Sequence, residues 1–357
     1  MENRRLRNRN YQLDFFKLIF SIFVFVAHTI YITPNTISDS PLFPTLGLVS
    51  VFYFFIVSGM MMLNTTTEKS DGGGYGEQAN RFVLHKIKNI LLPYWIALGI
   101  SIITYAISYG DVKQVLLQSI PEILLLEESG VYFFMTNGPT WYISALFIAM
   151  LPLAYIMIKN RDFYVHVFAP ITAIILFGYM FNTQPYGAHT FNGIVLYTII
   201  RAVMGLCIGA ISWKLTRWLS ENIKSKVQRY IVTFAEIVLY FIFFDTVFQY
   251  SVNSKIIYSV MMLLPIAIAI SFSKVSYISY LFQFKWMRFF APISLAIYLN
   301  HNTGKRLALG CFPKKSFEYK VIAMVGFTVA LSIIYFVIIK LIKLVWNKKL
   351  KKIILEK

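Results

Sequence analysis

Ten apolar stretches, each close to the roughly 20 residues that a helix needs to cross a bilayer, set the limits on what this chain can fold into. They fall at about 13–33, 45–64, 90–108, 139–158, 163–181, 193–213, 230–250, 256–274, 288–304 and 319–342. No polar stretch between them is long enough for a soluble domain. The expected fold class is all-α: a polytopic transmembrane helix bundle of about ten spans forming one integral domain over residues 1–357. Composition agrees, since only 14% of residues are charged, against about a quarter in soluble domains.

A formal charge of +18 could suggest a nucleic-acid partner, but the placement of the cations excludes that reading. With the N-terminus inside, the cytoplasmic segments carry 24 of the 34 Lys and Arg residues and the external loops carry 6. That is the positive-inside pattern, so both termini are expected in the cytoplasm and the basic balance describes topology. One external loop departs from the rule, with Lys305, Arg306, Lys314 and Lys315. The start, MENRRLRNRN before an apolar run, resembles a signal peptide. No small-x-small site follows, so the run is expected to stay as the first span.

The polar segments are few. Residues 64–89 read as a cytoplasmic loop, flexible around Asp71-Gly72-Gly73-Gly74, which lacks the Gly-Lys-Ser/Thr ending of a phosphate loop. Residues 343–357 form a basic cytoplasmic tail. Residues 112–128 are apolar, interrupted by Pro121 and acidic at Glu122, Glu127 and Glu128; they suit an external or re-entrant helix. Cys207 and Cys311 lie far apart and offer neither a disulfide framework nor a metal spacing. No internal repeat of the secondary-transporter kind is present.

Ionisable residues inside the spans are the candidates for chemistry, because each is costly at that depth. Lys17 and His28 are eleven residues apart, which returns them to one face of a helix roughly 16 Å apart, with Asp14 one turn below Lys17. His28 suits a general base, or a histidine that ties two helices together. Lys17 either snorkels to headgroups or binds an anionic group from the cytosol, and Asp14 can serve as its ion-pair partner. Arg81, His85, Lys86 and Lys88 precede the third span, as a positive-inside anchor or as a phosphate-binding patch. Arg201 lies within the sixth span and needs a carboxylate, a carbonyl or water; Glu236 and Asp245 are its possible partners. Ser58-Gly59 suits close helix packing, and Trp141-Tyr142 an interfacial belt. His301 lies towards the external end of the ninth span, while His166 and His189 read as boundary or loop residues.

Several of these pieces occur in the order of one family. Asp14, Lys17 and the gap to His28, then FFIVSGMMM (54–62), PTWYISALF (139–147), IIRAVMGLCIGA (199–210) and ISLAIYLNH (293–301) together resemble the acyltransferase family 3 integral membrane proteins. These are bacterial enzymes of about ten helices that acylate, mostly acetylate, surface carbohydrates. The resemblance implies a basic residue at Lys17, an essential imidazole at His28 and acyl-coenzyme A entering from the cytoplasm. The chain departs from the family at the start of the third span, where His85 and Lys88 stand in place of two arginines. It looks more like the polysaccharide and antigen O-acetyltransferase branch, with Ala145 and Leu146 where another branch has glutamates.

The expectation is a multi-pass bacterial plasma-membrane O-acyltransferase, moving an acyl group, chiefly acetyl, from acyl-CoA to a hydroxyl of a surface glycan or its precursor. Its catalytic residues would be His28, Lys17 and Asp14, with Lys17, His85, Lys86, Lys88 and Arg201 around the donor and no metal. His28 would act as general base or as transient acyl carrier, with Arg201 at the oxyanion or on a donor phosphate. The competing readings are a transporter or flippase for a lipid-linked sugar, and a non-catalytic membrane sensor.

Overall fold

The computed structural model describes residues 10–32, 42–64, 73–129, 136–183, 190–191 and 195–355. His189 and, of the Gly-rich piece, Asp71 and Gly72 lie outside the described residues. The chain is helical almost throughout: α1 (Tyr11–Ala27), α2 (Leu42–Asn64), α3 (Tyr75–Tyr109), α4 (Val112–Gln118), α5 (Ile120–Ile123) and α6 (Trp141–Lys159). There follow α7 (Arg161–Thr183) and α10 (Lys255–Ser273), α8 (Tyr197–Asn222), α9 (Lys226–Gln249), α11 (Phe290–Cys311) and α12 (Phe317–Leu355). The one β pairing among the described residues is a two-residue ladder, Thr190–Phe191 with Val195–Leu196. The all-α polytopic bundle is therefore as the sequence led us to expect.

Among the described residues, nine helices are long and apolar enough to cross a bilayer. The remaining expected span, 288–304, is present as α11, but as a helix too polar to qualify on composition. It starts at Phe290 and runs on to Cys311, so Lys305 and Arg306 are inside a helix and not in an external loop. No proline intervenes before Pro313, and Arg306 finds its partners within the fold. It donates to the carbonyls of Thr136 (2.7 Å) and Ser101 (2.9 Å) and to the Thr104 hydroxyl (2.8 Å). α11 lies along α12 and α1 and touches α3. A helix with buried Asn300, His301 and Thr303 avoids lipid by being enclosed by its neighbours.

One further segment differs from expectation. Most of the 64–89 loop is helix: α3 begins at Tyr75, capped by Gly74, and its Ala79, Val83 and Ile87 are buried. That i, i+4, i+8 stripe packs the helix while Arg81, His85 and Lys88 stay exposed. The basic tail continues α12 as helix to Leu355.

Two of the sequence motifs prove to be the two sides of one close crossing. A Cβ added at Gly59 of α2 would collide with the Leu206 carbonyl of α8, and one at Gly205 or Gly209 would collide with Phe55 or the Ile56 carbonyl. Small residues four apart let the two backbones touch, the usual solution where lipid supplies no hydrophobic drive. The packing reading of Ser58-Gly59 holds, and Ser58 adds a 3.2 Å hydroxyl contact to Tyr142.

The N-terminal end of α1 is tied to α9 and α10. Asn10 caps the helix by accepting from the Leu13 amide at 3.2 Å and donates to the Ser271 carbonyl at 2.8 Å. Gln12 donates to Glu236 at 2.7 Å. Glu236 is thus occupied by Gln12 and Ser271, and Asp245 is exposed and accepts from Gln249.

Candidate active site

α1 and α11 run parallel with matched register. The hydroxyls of Ser21 and Ser294 meet at 2.7 Å, and seven residues further on, where α1 passes into the 3-10 helix His28–Ile32, the rings of His28 and His301 meet at 4.8 Å between centroids, inclined by 65°. Seven residues are close to two turns, so one strip of each helix carries both contacts. Ser294 also donates to the Lys17 carbonyl at 2.9 Å, which extends the same seam a turn lower.

Both imidazoles are oriented by their own helices. The His28 Nδ1 lies 2.8 Å from the Val24 carbonyl and the His301 Nδ1 lies 2.7 Å from the Tyr298 carbonyl. A carbonyl only accepts, so in the neutral ring each Nδ1 carries the hydrogen and each Nε2 the lone pair. His301 is fully buried, and its Nε2 is buried without a hydrogen-bond partner. His28 is partly accessible because it forms a wall of a cavity.

That cavity has a volume of about 290 Å³ and is lined by His28, Gly138, Pro139, Trp141, Asn302 and Lys305. The aromatic at 141 is therefore a cavity wall and not only an interfacial anchor. Its segment is held in place from both sides. The Tyr298 hydroxyl donates to the Pro139 carbonyl, and Asn137 donates to the Leu299 carbonyl at 3.0 Å. From the other side, Glu122 accepts from the backbone amides of Thr136 (2.8 Å) and Asn137 (2.9 Å). Glu127 accepts from the hydroxyls of Tyr94 (2.9 Å) and Thr140 (3.3 Å), and Glu128 accepts from Thr198.

These three glutamates were legible only as acidic residues of an external segment. The fold buries all of them. Burial pushes the Glu127 carboxyl up from 4.5 to about 8. Burial also raises Glu122, opposed by its bonds to Thr136 and Asn137, and raises Glu128, opposed by Thr198 and by the positive charge of Arg201. Segment 112–129 is thus a small buttress of two short helices and a turn, with Leu125 in left-handed backbone (φ 58°).

The remaining expected residues are not gathered around His28. Lys17 pairs with Asp14 at 3.5 Å, with Asp14 buried and the lysine side chain 31% exposed; neither lines the cavity. Lys86 is half-buried and donates to the Met61 carbonyl at 2.9 Å, capping the last turn of α2. His85 and Lys88 are exposed on α3. Arg201 lines a different, nearly closed apolar cavity with Phe52, Phe55 and Tyr258. Sequence reasoning missed Lys305 and Asn302 as cavity residues and gave His301 no role, although the late Ser, Ile, Tyr and His pattern pointed to that strip. His166 is an exposed boundary residue bonded to Asp162. Among the described residues, no group of three or more His, Cys, Asp or Glu side chains could hold a metal ion.

The geometry defines a multi-pass membrane protein with an imidazole on the wall of an open cavity. Residues 10–342 match the family model described as an acyltransferase domain, acyltransferase family 3. The chain belongs to that family, and it is a membrane acyltransferase. No curated protein and no solved structure gives a significant match.

Proposed function

We propose that the chain is an O-acyltransferase of the bacterial plasma membrane, with both termini in the cytoplasm. It transfers an acetyl group from acetyl-coenzyme A to a hydroxyl of a surface glycan or its lipid-linked precursor. The observation that carries this reading is His28, placed on the wall of a cavity with its Nδ1 bonded to the Val24 carbonyl, which leaves Nε2 to act as base.

In this scheme the acceptor hydroxyl gives its proton to His28 Nε2 as its oxygen bonds to the thioester carbonyl carbon. The intermediate then collapses, the carbon–sulfur bond breaks, and the coenzyme leaves as a thiol carrying the proton returned by His28. The developing oxyanion needs donors near the base. Asn302 and Lys305 share the cavity with His28, and they replace Arg201, which lines another cavity, in that role. Trp141 offers a flat apolar face for a sugar ring. Lys17, about 16 Å along α1 from His28, together with the exposed His85 and Lys88, suits the phosphates of a long donor that reaches in from the cytoplasm. Lys86 is occupied at the end of α2 and is left out of the donor site.

The test is inverted membrane vesicles supplied with labelled acetyl-coenzyme A. Label is expected on glycan with the wild-type chain, and His28→Ala is expected to lower transfer on the order of 10²–10⁴-fold. Transfer by His28→Ala at the wild-type rate, with equal protein in the membrane, would overturn the reading.

A further inference from the structure

His301 carries a feature that packing alone does not account for. Its ring is fully buried, and its Nδ1 is satisfied by a carbonyl of its own helix, so it makes no hydrogen bond that ties α11 to another element. Its Nε2 is left buried without a partner. Leaving a buried acceptor unpaired forfeits its hydration without return, and a phenyl ring would fill the same space without that cost. In an imidazole the edge bearing Nε2 lies across the ring from Nδ1, which here is taken up by the Tyr298 carbonyl. Of the rings around it, His28 is nearest, at 4.8 Å against 6.2 Å for Tyr298 and 6.4 Å for Phe25.

An imidazole with its hydrogen on Nδ1 has the negative end of its dipole at Nε2. That dipole does little for a neutral neighbour and favours a cationic one. The other ionisable group on the cavity wall, Lys305, lies one turn further along α11 and acts in the opposite sense, since its ammonium disfavours a second positive charge. We infer that His301 is a positioning residue for the transfer: its ring holds the plane of His28, and its unprotonated edge stabilises the positive charge that His28 acquires when it takes the acceptor's proton. The inference rests on the proposed role of His28 as base. An interaction that strengthens only as charge develops lowers the barrier without tightening substrate binding, so its signature is in kcat.

Four variants measured in vesicles test this. His301→Phe keeps the ring and removes both nitrogens. It is expected to lower kcat roughly 10- to 100-fold, less than the loss of a donor that touches substrate, with KM for donor and acceptor little changed. His301→Gln and His301→Met have similar length and volume, and only Gln returns a strong acceptor, the thioether sulfur being a weak one. Gln is expected to recover a large part of kcat and Met none, a comparison that stands even if the Phe variant fails to accumulate. Wild-type kcat in His301→Phe, equal kcat in the Gln and Met variants, or a change confined to KM would each overturn the inference. If His28→Ala is inactive while His301→Phe matches wild type, only the role of His301 fails. If His28→Ala is active, the underlying reading fails with it.

Discussion

Ser21 and Ser294, 273 positions apart in the chain, share a 2.7 Å hydrogen bond two helical turns before His28 meets His301. The bond sets the register of two parallel helices, so it fixes which residue of α11 faces His28 just past the end of α1. A one-turn slip would bring Tyr298 or Lys305 to that place. A double-mutant cycle of Ser21→Ala and Ser294→Ala, followed by thermal unfolding in nanodiscs, is expected to show a coupling of about 0.6 kcal/mol, the usual scale for such bonds between membrane helices. Transfer activity should fall in the double variant by more than stability alone accounts for. Additive effects on both readouts would show that register is set elsewhere.

Tyr298 joins the same strip to the cavity wall through its bond to the Pro139 carbonyl. Tyr298→Phe removes that bond and leaves the ring. A neutral hydrogen bond contributes about 0.5–1.5 kcal/mol, so turnover is expected to fall by roughly three- to tenfold, with protein levels unchanged. Steady-state transfer rates at saturating donor and acceptor would measure it.

The crossing of α2 and α8 has no room for a side chain at Gly59. Gly59→Ala is expected to destabilise the protein by about 1–3 kcal/mol, the range for overpacking a tight core. Gly99→Ala in α3, where an added Cβ meets nothing within 4 Å, should be neutral or mildly stabilising, since Ala outranks Gly in a helix interior. Melting temperatures of the two variants side by side check the contrast.

Glu127 makes stability depend on pH in a direction opposite to that of most carboxylates. Its folded carboxyl is raised to about 8, so between about pH 4.5 and 8 the folded state binds more protons at this site than the unfolded chain. Its contribution to stability is therefore largest at low pH and is lost as pH rises to about 8. Glu127→Gln, which keeps a carbonyl oxygen for Tyr94 and Thr140, should flatten that slope and stabilise the protein most at pH 8 and above. Thermal unfolding at pH 5, 6.5 and 8.5 tests the sign.

Most of the bundle was legible because hydropathy is a property of each segment by itself: nine of the ten apolar stretches became helices both long and apolar enough to span. What escaped depends on contacts between segments. α11 was cut short at residue 304 because Lys305 and Arg306 interrupt its apolar run, and only the carbonyls of Ser101 and Thr136 show how a buried guanidinium is accommodated. Glu122, Glu127 and Glu128 look like solvated charges until Tyr94, Thr136, Thr140 and Thr198 are seen around them. His28 stood out because it lies in an apolar run. His301, in the polar sequence Asn300-His301-Asn302, did not, and its relation to His28 exists only in three dimensions.

The polarity of α11 bears on how the molecule is assembled. A segment holding Asn300, His301, Lys305 and Arg306 gains little from entering hydrocarbon alone, and the partners that satisfy it belong to α1 and α3, made earlier, and to α12, made later. Its entry into the bilayer thus falls to its neighbours, above all to the long apolar span Phe317–Val345 that follows and packs along it. A chain ending before Phe317 should leave α11 exposed at the membrane surface for quality-control proteases, and His301 would never meet His28.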